Sequence, residues 1–319
     1  MGYRCLYTKT LLLTISLLVS SCASETTPLL RVGTNMWPGY EPFYLARSLG
    51  QLSNEQIRLV EYPSSTEVLR AFRNKSIEVA ALTLDEVLLL IQDKVKLKIF
   101  LVLDISHGGD VMMSHPDITT MSDLKGKRVG VENTALGAYV LTRALQVHNI
   151  TLEEIEIIPA EISDHERVFS ENKVDAVVTF DPVRTKLRTL GAREIFSSKE
   201  IPGEIVDVVV VHEDYLNAYP KRVRNLVDGW FEAIEYMQEN QQQSAAILAE
   251  RQKISVAEVI ASYDGIRIPG REENITMLSE GSNGMLNNMQ RLNDTLVQHN
   301  LIHRKLEIGD KLTADVVRQ

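Results

Sequence analysis

The chain has 319 residues, and its 34 lysine and arginine residues against 43 aspartate and glutamate residues give a formal net charge of -9. A hydrophobic content of 44% excludes a disordered chain, and the acidic balance argues against a nucleic-acid-binding face, since phosphate contacts need a basic surface. The length predicts about two domains.

The N-terminus has the pattern of a secretory signal over residues 1–21. Arg4 and Lys9 precede an apolar run from Leu11 to Val19, which is far shorter than the roughly 20 residues that span a bilayer. The segment Leu18-Val19-Ser20-Ser21-Cys22 resembles the bacterial lipobox, in which cleavage leaves the cysteine as a lipid-bearing first residue. We therefore expect lipid attachment at Cys22, a tether over residues 22–29 and an extracytoplasmic body anchored to a bacterial membrane on its periplasmic side.

The body alternates short apolar runs with segments of helical periodicity, which predicts an α/β protein with parallel sheets covered by helices. Capping boxes are predicted where a hydroxyl precedes an acidic residue by three positions, at Ser64, Thr83 and Ser163. The predicted strands are Leu30 to Gly33, Ile57 to Tyr62, Val79 to Leu82, Lys98 to Leu103, Val111 to Ser114, Arg128 to Val131, Ile155 to Ile158, Ala176 to Thr179 and Ile205 to Val211.

The pattern changes after Val211, where the chain becomes almost entirely helical. Such a tail is typical of helices that pack back across an α/β body. The predicted helices are Val223 to Glu239, Ser244 to Gln252, Val256 to Tyr263 and Gly284 to His299.

Two strand–turn–helix units have features of ligand sites. The first strand leads into a turn, Asn35 to Tyr40, that is rich in proline and glycine, and open parallel sheets bind ligands at the carboxyl ends of their strands. A second strand ends at Val131, and Asn133 and Thr134 then open a helix whose free amides favour an anionic group.

Three segments together resemble one protein family. They are Val32 to Arg47 (Val-Gly-Thr-Asn-Met-Trp-Pro-Gly-Tyr-Glu-Pro-Phe-Tyr-Leu-Ala-Arg), Asp123 to Val131 (Asp-Leu-Lys-Gly-Lys-Arg-Val-Gly-Val) and Asp175 to Val183 (Asp-Ala-Val-Val-Thr-Phe-Asp-Pro-Val). They are similar to ABC-transporter solute-binding proteins of the nitrate/sulfonate/taurine and thiamine-pyrimidine-precursor group. The resemblance runs from about residue 30 to about residue 211.

The resemblance implies a two-lobed clamshell of the second periplasmic-binding type, with hinge strands and a helical C-terminal region. Lobe one would comprise residues 30–116 and 202–319, and lobe two residues 117–201. The ligand would lie between the lobes, and their closed form is what a permease would recognise.

The candidate ligand-binding residues share positions at strand ends and helix starts, and several have a structural alternative. Trp37 could pack the first loop, Asn133 and Thr134 could be plain helix caps, His107 could be exposed, and Asp181 could complement a helix dipole. Several converging acids would favour a ligand with a positive group. The full set is Trp37, Tyr40, Thr83, Asp104, His107, Asp110, Glu132, Asn133, Thr134, Thr179 and Asp181.

Other polar and aromatic residues have structural explanations. Asp85 complements the dipole of the helix that it opens, and Trp230 lies among apolar residues and belongs to the core. His299 and His303 are four residues apart, but an exposed helix explains them better than a metal site.

The sequence favours a binding protein over an enzyme. It has no nucleophile elbow, phosphate loop or zinc-binding helix motif, and its two cysteines, Cys5 and Cys22, are both N-terminal. The pyrimidine-precursor synthases and pyrrole-linking enzymes of the resembling fold depend on cysteine, so their chemistry lacks its residues here.

We therefore predict a monomeric solute-binding lipoprotein without cofactor or metal, which delivers a sulfonate, taurine, nitrate, pyrimidine or amine to ABC permease subunits. The alternatives are a ligand-sensing protein that signals to a membrane partner and a pyrimidine-precursor synthase-like enzyme.

Overall fold

The computed structural model describes residues 27–279 and 284–318, which form two mixed β-sheets with helices packed against them. The predicted signal segment, Cys22 and most of the tether lie outside the described residues. No helix in the described part of the chain combines the length and apolarity that crossing a membrane requires.

The first sheet has six strands in the order β11-β4-β10-β3-β1-β2. Strands β1, β2 and β3 are parallel, whereas β10 runs antiparallel to both of its neighbours, β3 and β4. The strands are β1 (Leu30–Thr34), β2 (Ile57–Glu61), β3 (Val79–Thr83), β4 (Leu97–Ser106), β10 (Val206–His212) and β11 (Ile266–Arg267).

The second sheet has five strands in the order β7-β6-β8-β5-β9. Strands β6, β7 and β8 are parallel, and β5 runs antiparallel between β8 and β9. The strands are β5 (Val111–Ser114), β6 (Arg128–Val131), β7 (Glu156–Pro159), β8 (Ala176–Thr179) and β9 (Arg193–Ser197).

Helices follow the strands and pack on both sheets. The first sheet carries α1 (Glu41–Ser48), α2 (Ser65–Arg73) and α3 (Leu84–Gln92), and the second carries α4 (Ala135–Val147), α5 (His165–Ser170) and α6 (Val183–Thr189). The C-terminal helices are α7 (Glu213–Ala218), α8 (Pro220–Glu239), α9 (Gln241–Gln252), α10 (Val256–Ser262), α11 (Arg271–Leu278) and α12 (Met285–Gln298).

Local capping explains where two of these helices begin. Ser64 accepts a hydrogen bond from the amide of Glu67 and so starts α2, while Glu86 accepts one from the amide of Thr83 at the start of α3. The predicted cap at Ser163 is wrong, because a short 3-10 turn, Ile162–Asp164, occupies that position and α5 begins at His165.

The chain crosses between the sheets twice, through residues 107–110 and through residues 198–205. The two crossings contact each other, since the Ser106 and Ser198 hydroxyls lie 2.8 Å apart and the Gly108 amide donates to Ser198 Oγ over 2.6 Å. Strand β5 follows the first crossing and pairs with β8 and β9, so it belongs to the second sheet, although the sequence-based boundary after residue 116 placed it in lobe one.

The helical C-terminal region packs mainly against the first sheet and its helices. Trp230 of α8 is fully buried against Phe43 of α1, with ring centroids 4.6 Å apart, so its predicted core position is confirmed. Asn274 of α11 accepts from the amide of Val102 in β4 and donates to that residue's carbonyl oxygen, which covers the outer side of a sheet edge.

The expectation of parallel sheets is wrong in one respect, because each sheet contains an antiparallel strand that arrives from the other side of the molecule. Strand β5 follows the first crossing and β10 follows the second. Each lies between two strands that run parallel to each other, and it is antiparallel to both. Apolar periodicity identifies such strands but does not reveal their direction.

Candidate functional site

The candidate site is a narrow cavity between the two sheets, with a volume of about 10 Å³. Residues that follow the carboxyl ends of β1, β3, β6 and β8 meet there with residues of β10 and of the first crossing. The lining residues are Asn35, Trp37, Tyr40, Ser65, Thr83, Asp110, Glu132, Leu136, Phe180 and Asp207.

The loop after β1 is held in place by its own hydrogen bonds. Asn35 accepts from the amide of Trp37 over 3.0 Å and donates to Ser65 Oγ over 2.7 Å. The Trp37 indole then donates to Asp104 Oδ2 over 3.0 Å. Trp37 is therefore fixed at the cavity wall at both its backbone and its side chain.

Gly39 makes this arrangement possible. A Cβ atom at residue 39 would lie 1.9 Å from Asp104 Oδ2 and 2.4 Å from the indole nitrogen of Trp37, so no side chain fits there without displacing the hydrogen bond. The same turn places Tyr40, whose hydroxyl donates to Asp207 Oδ1 in β10.

The wall from the second sheet is formed at the start of α4. Thr134 accepts from the amide of Gly137 over 3.0 Å and caps the helix, while Glu132 precedes it and lines the cavity. A Cβ atom at residue 137 would lie 2.4 Å from the carbonyl oxygen of Glu132, so a glycine is needed for this close approach.

One aromatic contact joins the two sides of the site. The rings of Trp37 and Phe180 meet edge to face with centroids 5.1 Å apart. Phe180 follows β8 of the second sheet, whereas Trp37 follows β1 of the first. The cavity is therefore bounded by aromatic rings from both lobes, with Tyr40 also on the side of the first sheet.

Six carboxyl groups gather in and behind this cavity. Burial raises the pKa of Asp85 and Asp110 to about 6 and that of Asp104 to about 7. Burial and the neighbouring Asp85 raise the pKa of Glu86 to about 8. These shifts arise because the protein removes water without supplying enough positive charge.

Burial also raises the pKa of the remaining two carboxyls, Glu132 and Asp207. Burial, with Glu161 nearby, raises the pKa of Glu132 to about 7. The pKa of Asp207 is raised well above its ordinary value by burial and by the neighbouring Asp104, against the opposing effect of the Tyr40 hydrogen bond.

The structure brings five of the eleven sequence-predicted residues to the cavity wall: Trp37, Tyr40, Thr83, Asp110 and Glu132. Asp104 lies directly behind Trp37 and is fully buried. Asp85, which the sequence assigned to helix-dipole complementarity, is also buried in this cluster of acids.

The other predicted residues have partners or positions away from the cavity. His107 and Asn133 are exposed, and Thr134 caps α4. Thr179 contacts the ring of His165 over 3.2 Å, and burial lowers the pKa of that histidine to about 4. Asp181 accepts from the amide and hydroxyl of Thr185 in the first turn of α6.

Sequence reasoning missed other members of the wall. The clearest signal was Asp207, the single charged residue in the run Val206 to Val211, because a buried carboxyl in an apolar strand needs a polar partner. Asn35, Ser65, Leu136 and Phe180 carry no comparable signal.

No group of three or more histidine, cysteine, aspartate or glutamate side chains within residues 27–279 and 284–318 is arranged to hold a metal ion. The acids of the cavity are therefore not disposed as a set of metal ligands.

The overall structure is similar to solved structures of both binding proteins and an enzyme. The periplasmic aliphatic sulphonate binding protein SsuA from Escherichia coli superposes with a TM-score of 0.74 at 19% identity, over 92% of this chain and 100% of that chain. The desulfurization enzyme DSZB superposes with a TM-score of 0.66 at 16% identity, over 91% and 97%. The predicted two-lobed α/β fold of the periplasmic-binding type is thus confirmed.

The sequence comparisons agree with the fold. A Brucella abortus protein, with a name that provisionally describes it as a binding protein, is 23% identical over 215 residues, which are 65% of this chain and 65% of that protein. The match thus spans less than two thirds of the relative's length. Residues 37–244 match the family model described as NMT1/THI5 like, and this segment is more than half of the chain. The chain therefore belongs to the NMT1/THI5-like family.

Proposed function

We propose that the protein is an extracytoplasmic solute-binding lipoprotein that captures a small organic solute containing nitrogen or sulfur and delivers it to an ABC permease. Polar groups of both sheets face one cavity, and the carboxyl oxygens Asp110 Oδ2 and Glu132 Oε1 have no hydrogen-bond partner among the described residues. This observation carries the proposal, because a ligand in the cleft would supply the hydrogen-bond donors that these buried oxygens lack.

Closure is the second element of the proposal. The two crossings, residues 107–110 and 198–205, are the connections about which the lobes would turn. An open form would admit the solute. The protein would act as a monomer, and the permease subunits would recognise its closed form.

The location belongs to the same proposal. A lipid on Cys22 would hold the body at the membrane surface on the periplasmic side, within reach of a permease. In Cys22→Ser, the protein should move from the membrane fraction to the soluble fraction after cell lysis, whereas Ser21→Ala should leave it at the membrane. Membrane retention of Cys22→Ser would contradict the anchor.

The binding function is tested with protein purified from its own cells. Unfolding the protein releases any bound solute, and mass spectrometry then identifies it. The refolded protein should regain the higher melting temperature on adding that solute back, because a ligand of the folded state stabilises it.

Uptake distinguishes transport from the alternatives. Deleting the gene should abolish uptake of the labelled solute. Unchanged uptake with altered gene expression would favour a sensing role, and conversion of the solute on incubation with the purified protein would favour an enzyme.

A further inference from the structure

The charge of the cavity narrows the class of ligand, on the assumption that the proposed solute-binding function holds. Asp110, Glu132 and Asp207 line the cavity, and Asp85, Glu86 and Asp104 lie next to them. Within the described ranges, no lysine, arginine or histidine nitrogen lies within 4.0 Å of any of these six carboxyls.

The carboxyls differ in how well they are satisfied. Asp207 accepts from the Tyr40 hydroxyl and Asp104 accepts from the Trp37 indole. Asp110 is only 3% exposed, yet its Oδ2 atom has no partner in the described part of the chain, and Glu132 Oε1 likewise has none. One oxygen of each of these two cavity-wall carboxyls is therefore left without a hydrogen-bond donor, as is one oxygen of Asp85, Glu86 and Asp104 behind the wall.

Arg184 contacts the first crossing but pairs with groups outside the cavity wall. Arg184 donates to the carbonyl oxygen of Gly108 over 2.8 Å and pairs with Glu194 at 2.9 Å, while its closest approach to Asp181 is 3.9 Å. These contacts hold Arg184 against the first crossing and the second lobe, and its side chain is not among those that line the cavity.

A sulfonate or another anion would bring a further negative charge to this cluster. A buried anion needs cationic or amide donors, whereas the acidic side chains at this wall are carboxyls and its side-chain amide, Asn35, already donates to Ser65. A bare metal ion is also a poor fit, because no described set of three acidic, histidine or cysteine side chains is arranged as its ligands. The rings of Trp37 and Phe180 at the wall suit a flat organic group.

We propose that the ligand is an organic cation with a planar unsaturated part, whose positive group lies against Asp110 and Glu132 and whose planar part lies beside Trp37 and Phe180. A protonated amine on this scaffold donates hydrogen bonds to both unpartnered oxygens and offsets the clustered negative charge. The cavity of about 10 Å³ is too small for such a molecule, so its entry requires the lobes to separate.

Three compounds that share one ring and differ in charge test this inference: benzylammonium, benzyl alcohol and phenylmethanesulfonate. The protein is the processed chain from residue 22 carrying Cys22→Ser, unfolded and refolded to remove any bound solute. At about tenfold excess over its Kd, benzylammonium should raise the melting temperature by about 3 °C at pH 7.5, and phenylmethanesulfonate should not.

Variants assign the effect to the two carboxyls. Asp110→Asn with Glu132→Gln should weaken benzylammonium binding at least tenfold, whereas the exposed Asp117→Asn should leave it unchanged. Glu132→Gln alone, at a partly exposed side chain, provides the same comparison if the double variant does not fold.

Two results would overturn the inference. If phenylmethanesulfonate stabilises the protein as much as benzylammonium does, the ligand is not selected for positive charge, although the solute-binding function stands. If benzylammonium does not raise the melting temperature, the inference that the ligand is an organic cation is wrong. The solute released from protein purified from its own cells then decides separately whether solute binding stands.

Discussion

A single hydrogen bond joins Trp37 to Asp104 at the cavity wall. Asp104 is fully buried, its Oδ2 atom accepts from the indole nitrogen of Trp37, and its Oδ1 atom has no hydrogen-bond partner in the described residues. The tryptophan therefore has a polar role in the folded protein besides its aromatic contact with Phe180.

This bond predicts the behaviour of Trp37→Phe. The ring remains but the donor is lost, and leaving a buried acceptor without a partner costs about 1–3 kcal/mol. The free energy of unfolding in urea should fall by this amount, and more at pH 8 than at pH 5, because the ionised form of Asp104 suffers most. The double variant Trp37→Phe, Asp104→Asn should recover part of the loss. An undiminished free energy of unfolding in Trp37→Phe would contradict the role of the bond.

At the residue scale, the sequence located those cavity-wall residues that lie at or just after the end of a strand. Trp37, Thr83 and Glu132 were found in this way because chain position alone places them at the carboxyl edge of a sheet. Asp207 and Phe180 could not be found so easily, since their approach to the cavity depends on the direction of β10 and on how close the two lobes come.

At the scale of elements, Asp181 shows how a predicted ligand contact can instead be a helix cap. Its Oδ1 atom accepts from the Thr185 amide over 3.0 Å and from the Thr185 hydroxyl over 2.7 Å, so it satisfies the first turn of α6. The side chain does not line the cavity.

We therefore expect Asp181→Ala to lower the stability of the protein without weakening solute binding. We expect the free energy of unfolding to fall by about 1 kcal/mol, because a lost helix cap costs that much. Solute affinity should remain within twofold of the original in a calorimetric titration, with Asp181→Asn as the variant that keeps an acceptor. A tenfold loss of solute affinity without a loss of stability would instead indicate that Asp181 contacts the solute.

Elements with a strong apolar pattern were predicted well and polar edge strands were not. Strands β5, β6 and β8 have the predicted bounds, because they are buried and bracketed by polar turns. Strand β9, with the sequence Arg-Glu-Ile-Phe-Ser, lies at a sheet edge and exposes its first residues, so it lacks the apolar run on which prediction depends. Strand β11 has two residues, too few for any periodicity.

At the scale of the whole molecule, the clustered acids determine how stability depends on pH. The pKa values of Glu86, Asp104 and Glu132 are about 8, 7 and 7 in the folded state and near 4 in the unfolded chain. Between pH 6.5 and 8 the folded protein therefore holds protons that the unfolded chain has already lost. Its stability must fall as pH rises through this range.

The prediction is a decrease of about 2 kcal/mol in the free energy of unfolding between pH 6.5 and pH 8, measured by urea unfolding without ligand. His165 and His212 oppose this decrease only slightly, because burial lowers the pKa of both and the unfolded chain loses most of its remaining histidine protons just above pH 6.5. Glu86→Gln should flatten the dependence, and exposed Glu153→Gln should not. A constant or rising free energy of unfolding over this range would contradict the raised pKa values of these buried carboxyls.

The two-lobed architecture could be predicted from the order of strands, helices and motifs, but the lobe boundary could not be located to the residue. The sequence boundary after residue 116 follows the apolar segment Val111 to Ser114, whereas the chain changes sheets before it. Which sheet accepts a short strand is decided by backbone partners that are distant in sequence, such as Thr179 for Val111.

The contact between Ser106 and Ser198 ties the two crossings together at one point. Two connections joined in this way constrain the lobes to rotate about nearly one axis, so displacement grows with distance from Ser198. Arg70 and Glu161 line one groove at the mouth of the cleft, on opposite lobes. A donor and an acceptor dye at these two positions would convert that rotation into a change in energy transfer, and the protein would become an optical reporter of its own solute.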